Sequence, residues 1–147
     1  QGPLNEAGVN CLRHFPRRGV RVWGARTISS QAAWRYINVR RVILTTGRWV
    51  EYTLREVVFE PHTPQLWERV TREVSTYLNE QARRGALLST PDGSSFYVKC
   101  DAETNPADQR EIGRIVIEIG LAIAPPTEYI VIRLIHGPAG VRIEGPV

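Results

Sequence analysis

The sequence predicts an α+β domain: a small mixed β-sheet packed against two amphipathic helices, with an extended C-terminal arm. Three observations carry that expectation. Residues 114–136 hold two runs rich in Ile and Val around Pro125-Pro126, and β-branched side chains are stiff and pack well on a pleated surface. Residues 38–85 change to an apolar period of three to four, the spacing of one helix face. Beyond His136 the core pattern stops, and a tail containing Gly137, Pro138, Gly140, Gly145 and Pro146 begins.

Taken in order, residues 1–10 carry Gly2, Pro3, Asn5, Gly8 and Asn10 and read as a connector. Residues 11–19 continue irregular, with Pro16 and Gly19 as punctuation. Val20, Val22 and Gly24 then alternate with Arg21, Trp23 and Ala25, a strand pattern over 19–26. From Asn38, the expected N-cap, Val39, Val42, Ile43, Thr46, Val50, Leu54 and Val57 recur at helical spacing. Gly47 inside this helix costs about 1 kcal/mol against Ala, so packing must hold it. Pro61 ends it.

Thr63 and Pro64 restart a helix as N-cap and first helical residue. Leu66, Trp67, Val70, Val74, Tyr77 and Leu78 form its apolar stripe, and Gly85 stops it. Glu68 with Arg72, and Glu80 with Arg84, are i,i+4 pairs in the favourable orientation. Pro91-Asp92-Gly93 reads as a turn and 96–100 as a strand. Asn105-Pro106 opens a short helical turn ending at Gly113.

In the strand over 114–123, Ile115, Ile117, Ile119 and Leu121 alternate with Arg114, Val116, Glu118 and Gly120. Its partner over 128–136 sets Ile130, Ile132 and Leu134 against Tyr129, Val131, Arg133 and Ile135. Both faces are largely apolar, so both need cover and the edges must be paired or hidden. The two helices are the natural cover for one face. Glu118, between isoleucines, is expected at an edge or paired with an Arg.

At 147 residues the chain fits one domain with a core of its own. It has no apolar run long enough to span a membrane, and no secretory signal at its start. Having no Met, it reads as part of a longer protein. The net charge is +4, and Lys99 is the only lysine among 19 basic residues. The arginines read as scattered, with pairs at Arg17-Arg18, Arg40-Arg41 and Arg83-Arg84, where a nucleic-acid binder would cluster them. Cys11 and Cys100 make no disulfide framework, and Cys100 shares a strand face with Phe96 and Val98, which predicts a buried thiol.

Motifs for chemistry are missing. Gly137 and Gly140 do not stand between a strand and a helix, as a phosphate-binding loop requires. His14, His62 and His136 lack metal-ligand spacing with either cysteine. Glu60, Asp101 and Glu118 are spread along the chain, and Trp23, Trp34, Trp49 and Trp67 read as core or interface anchors. The expectation is a non-enzymatic interaction domain without a cofactor.

Several strings occur in one order: Phe15-Pro-x-x-Gly-Val-Arg-Val-Trp-Gly-Ala-Arg-Thr27, Trp34-Arg-Tyr-Ile-Asn-Val-Arg-Arg41, Val58-Phe-Glu-Pro61, Leu66-Trp67, Phe96-Tyr-Val-Lys-Cys-Asp101, Glu103-Thr-Asn105 and Glu118-Ile-Gly-Leu-Ala122. From about Leu4 to Ile135 the chain resembles the C-terminal domain of contractile tail sheath proteins, found in phage tails, R-type pyocins and extracellular contractile injection particles. The resemblance implies a structural subunit, at residues 1–136, on the inner side of a sheath around a rigid tube. It also implies an arm, 137–147, that adds a strand to a neighbour. Val141, Arg142, Ile143 and Glu144 would be that strand, with Gly137, Pro138 and Gly140 as its hinge. Arg69, Arg72, Arg83 and Arg84 on the second helix are the candidates to face the tube.

The implied partners are a helical array of sheath subunits, the inner tube protein, and baseplate and tail-terminator proteins, with no nucleic acid and no membrane insertion. Assembly is expected in the bacterial cytoplasm, and the product in a virion tail or released particle. The alternative is a basic nucleic-acid-binding α+β domain. It is motivated by the charge and opposed by the scattered arginines and the absence of an aromatic-basic strand.

Overall fold

The computed structural model describes residues 3–4, 7–88, 93–123, 129–137 and 140–144. The expected turn at Pro91-Asp92, the corner at Pro125-Pro126 and the hinge residue Pro138 lie outside them. The chain forms two compact units, Gln1–Val42 and Ile43–Val147.

The first unit is built on a hairpin. Strand β1 (Cys11–Phe15) pairs antiparallel with β2 (Gly19–Trp23), in a register from Cys11 opposite Trp23 to Phe15 opposite Gly19. Residues 11–15 were expected to be irregular because their own alternation is weak. They become a strand by pairing. The Arg18 N–H closes the turn onto the Phe15 carbonyl at 3.0 Å, Arg17 takes a left-handed φ of 63°, and the Phe15 and Trp23 rings meet at 4.8 Å. Beyond β2, Asn10 binds the backbone of Arg26 twice. Its Nδ2 donates to the Arg26 carbonyl at 2.7 Å, and its Oδ1 accepts from the Arg26 N–H at 2.9 Å. Arg26 also bridges to Tyr36. A Cβ on Gly24 would lie 2.4 Å from the Asn10 carboxamide oxygen, so the close approach of Asn10 requires glycine there.

Helix α1 (Ile37–Leu54) starts one residue before the expected cap. The Ile37 N–H is already held by the Ala25 carbonyl at 2.9 Å, so Asn38 sits inside the first turn. Ile43, Thr46, Gly47, Val50 and Leu54 are buried along one face. A 3₁₀ turn, Arg55–Val57, follows.

Helix α2 (Pro64–Arg83) has the expected ends. Thr63 Oγ1 accepts from the Leu66 N–H at 3.3 Å, and Pro64 needs no partner at the first position. At the other end Gly85 (φ 77°) donates to Ala82, and Ala86 donates to Gln81, which together close a Schellman motif. Leu66, Trp67, Val70, Val74 and Leu78 are buried, each contributing about 1.5–3 kcal/mol by transfer from water. Trp49 of α1 stacks on Tyr77 of α2, rings 4.1 Å apart and 8° from parallel.

The sheet runs β3 (Phe96–Lys99), β4 (Ile115–Ala122), β5 (Tyr129–Gly137), β6 (Gly140–Glu144) in that spatial order. It is antiparallel throughout rather than mixed, each strand pairing with the one next in sequence. The α+β class is as expected. Gly140–Glu144 lies as β6 against β5 of the same chain, with Gly137 opposite Gly140. In a single chain, this is the nearest strand able to satisfy the open edge of β5.

Strand β4 is the centre. Ile117, Ile119 and Leu121 are fully buried on one face, and Val116 and Ala122 on the other. Helix α2 packs against β3. On the second face, Gly120 is covered by the Tyr97 ring; a Cβ would come within 2.0 Å of it. The Tyr97 hydroxyl donates to Glu118 Oε1 at 2.8 Å. Glu118 also stands opposite Lys99 in register, and with the Tyr97 hydroxyl this gives the carboxylate polar company between isoleucines.

Strand β3 stops at Lys99, so residue 101 would next fall opposite Val116. The chain instead turns away at Asp101, whose Oδ1 accepts from the N–H groups of Glu103 and Thr104 at 2.9 and 3.0 Å. The turn delivers Asn105, wholly buried, to the vacated place. Asn105 Oδ1 accepts from the Val116 N–H at 2.7 Å, and Nδ2 donates to the Val116 carbonyl at 3.1 Å. Helix α3 (Ala107–Glu111) and Gly113 (φ 68°) then return the chain to β4.

His62 lies just before α2. Its buried Nδ1 has no hydrogen-bond partner among the described residues. Burial, and secondarily the charge of Arg110, lower its pKa. Protonation therefore favours the unfolded chain, and this group's contribution is present above the ordinary histidine range and lost as pH falls through the lowered value.

Two outcomes follow from these contacts. Asn105→Ala leaves the N–H and carbonyl of Val116 unpaired in the interior and lowers stability by about 3 kcal/mol in urea unfolding. His62→Gln flattens the decline of Tm between pH 7 and pH 5 relative to the unaltered chain, checked by thermal melts across that range.

Candidate interaction surfaces

No group of three or more His, Cys, Asp or Glu among the described residues is placed to hold a metal ion. An open groove of about 380 Å³ lies beside α2 and β3, lined by Glu68, Thr71, Arg72, Val98, Lys99, Cys100 and Asp101. Its charges are largely committed: Lys99 pairs with Glu103 and lies 3.9 Å from Asp101. Cys100 is buried as expected, and burial pushes its thiol up to about 12, so it stays protonated and unreactive at neutral pH. Both cysteines are free thiols. No helix among the described residues is long and apolar enough to cross a membrane. Three exposed surfaces stand out.

The first surface is the open end of the sheet. Arg142 stands opposite Ile135, Ile143 opposite Leu134, and Glu144 opposite Arg133, with Val141 opposite His136. The strand is five residues long and has a partner on one side only among the described strands.

The second is the polar side of α2. At 100° per residue, Arg69, Arg72 and Arg83 fall on one face, away from the buried stripe. Arg69 is held by Glu60 at 2.6 Å, a hydrogen bond that raises its pKa. Arg84 is held by Glu80 at 2.9 Å. These are exposed pairs of small energetic weight, easily re-partnered. Arg72 and Arg83 are exposed.

The third surface was missed in the sequence. The arginines are not evenly spread once the chain is divided as it folds. Residues 1–42 hold eight Arg against one acidic residue, Glu6, a net +7. Residues 43–147 hold eleven basic and fourteen acidic residues, a net −3. The signal was available: no Asp or Glu occurs between Ala7 and Val50. The first unit also exposes Leu12, Val20, Val22 and Trp23 on its hairpin, and the second exposes Val58 and Phe59.

Compared with known proteins, residues 29–135 match the phage tail sheath C-terminal domain family. The chain is 26% identical over 132 residues to the tail sheath protein of Burkholderia phage BcepMu, covering 85% of this chain and 26% of that one. It superposes on the helical sheath of the anti-feeding prophage in its contracted state with a TM-score of 0.73 and 34% identity, over 88% of this chain and 37% of that one. It also superposes on the contracted PVC sheath complex of an extracellular contractile injection system, with a TM-score of 0.76 and 31% identity, over 86% and 36%. The chain thus spans about a quarter of the curated relative and just over a third of the solved ones.

Proposed function

The chain belongs to the phage tail sheath family through its C-terminal domain, and we propose that it is the structural core of a contractile sheath subunit. In this reading, subunits stack around an inner tube and drive it forward by contraction. The carrying observation is that the family match covers 29–135, and that superposition on a helical sheath extends over 88% of the chain.

The subunit works mechanically. An extended array and a wider, shorter array are two packings of the same rigid domain, and the difference in buried surface is the stored energy. No nucleotide or cofactor enters, and the subunit is not an enzyme. The domain's rigidity is supported by the close packing of β4, with Ile117, Ile119 and Leu121 wholly buried. Its partners are further sheath subunits, the inner tube, the baseplate and the tail terminator. It assembles in the bacterial cytoplasm and ends in a virion tail or a released particle.

Neighbours are linked by the arm, residues 137–147. In the free chain Val141–Glu144 pairs with its own β5. In the sheath, the same strand opens at Gly137, Pro138 and Gly140 and supplies the equivalent edge on a neighbour. This is an exchange of identical pairings, and so costs little free energy. The linked arms keep subunits connected while they rotate. Arg72 and Arg83, with Arg69 and Arg84 after release from Glu60 and Glu80, face the tube.

Deleting Gly137–Val147 from the full-length protein abolishes sheath formation in electron micrographs and leaves the domain's circular dichroism and melting cooperativity intact. Sheaths of normal length after the deletion contradict the arm.

A further inference from the structure

We propose that the β1–β2 hairpin of one copy docks on the Val58-Phe59 turn of a second copy, a head-to-tail contact separate from strand exchange. It deepens the assembly reading and rests on it.

Phe59 occupies a conformation ill suited to it. The Glu60 N–H closes a turn onto the Val57 carbonyl at 3.1 Å, with Val58 at φ −61°, ψ 131° and Phe59 at φ 74°. This is a type II turn, whose third position favours glycine. A left-handed phenylalanine costs about 1–2 kcal/mol. The ring is fully exposed at 102% of its reference area, so no contact among the described residues offsets the cost. Val58 beside it is also exposed, and Glu56 and Glu60 flank the pair, Glu60 already held by Arg69. A rigid aromatic knob held in water has the character of a binding anchor.

The hairpin is the complementary case. Leu12 stands opposite Val22, and His14 opposite Val20, so Leu12, Val20 and Val22 form one apolar face, 63–73% exposed. Two strands alone are marginal in water, and among the described residues this pair has no third. On its other face Arg13 stands directly opposite Arg21, a destabilising like-charge pair, and Arg17 and Arg18 form the tip. An acidic, apolar partner would relieve both deficits, covering the Leu12 face and neutralising the tip.

Charge selects the occupant. With the first unit at +7 and the second at −3, like units repel and unlike units attract. A second copy presents the knob of its Val58-Phe59 turn beside the exposed carboxylate of Glu56. The contact joins two different surfaces, so each copy can both give and receive it.

Sedimentation velocity on the 147-residue chain tests this. The unaltered chain shows concentration-dependent association that weakens about tenfold or more when salt rises from about 50 to about 500 mM. Phe59→Gly removes the association while keeping or raising Tm, since glycine relieves the turn. Arg17→Glu with Arg18→Glu removes it from the other side. Mixing the two variants restores one contact per pair, giving 1:1 dimers and nothing larger. The proposal is overturned by an unaltered chain that stays monomeric to about 1 mM, by variants that associate as before, or by mixtures that stay monomeric. It is equally overturned if Phe59→Gly lowers Tm, which would mean that the ring packs within its own chain. Exchange of β6 would oligomerise the chain irrespective of salt and of residue 59, so failure of this contact is distinct from failure of the arm.

Discussion

Two carboxamides serve as strands in this molecule, and the fold depends on them. Asn105 gives Val116 both of the hydrogen bonds that a neighbouring strand would give. Asn10 does the same for Arg26. In each case a backbone segment needs a partner at one point where a full strand would not fit. Strand β3 reaches only as far as Lys99, and the chain must leave the sheet there to form α3. A buried backbone group without a partner costs as much as a lost hydrogen bond, so the site has to be filled. Asparagine alone among short side chains carries donor and acceptor in the peptide's own geometry.

This arrangement lets β4 be buried on both faces while its flanking segments remain short. One face holds the isoleucine stripe. The other is sealed by Tyr97 lying across Gly120, with its hydroxyl on Glu118. The result is a graded sheet. It is fixed at β3 and β4 by side chains and helices, and ends at β6 in a short strand whose only described neighbour is β5.

The sequence was most legible where periodicity and caps agree. Thr63-Pro64 and Gly85 bounded α2 because each residue satisfies a specific backbone need at a helix end. The two-faced burial of residues 115–122 followed from their continuous Ile and Val content. The first hairpin was half missed, since residues 11–15 have no alternation of their own and become a strand only in register with 19–23. The Asn38 cap was displaced because the backbone of Ala25 already held the first helical N–H. The arm read as extended because Gly137 and Pro138 break the core pattern, and sequence alone does not say on which copy the following strand lands. The charge division was legible but overlooked, since counting over the whole chain averages +7 against −3.

Native-state hydrogen exchange followed residue by residue measures the gradation directly. A centre held by Asn105 and an exchangeable edge require the Val116 amide to be as slow as those of Ile117 and Ile119. They also require the amides of Gly140–Glu144 to exchange by a low-energy opening that leaves β4 protected. A Val116 amide that exchanges at loop rates, or a β6 that opens only with the whole sheet, would contradict the account.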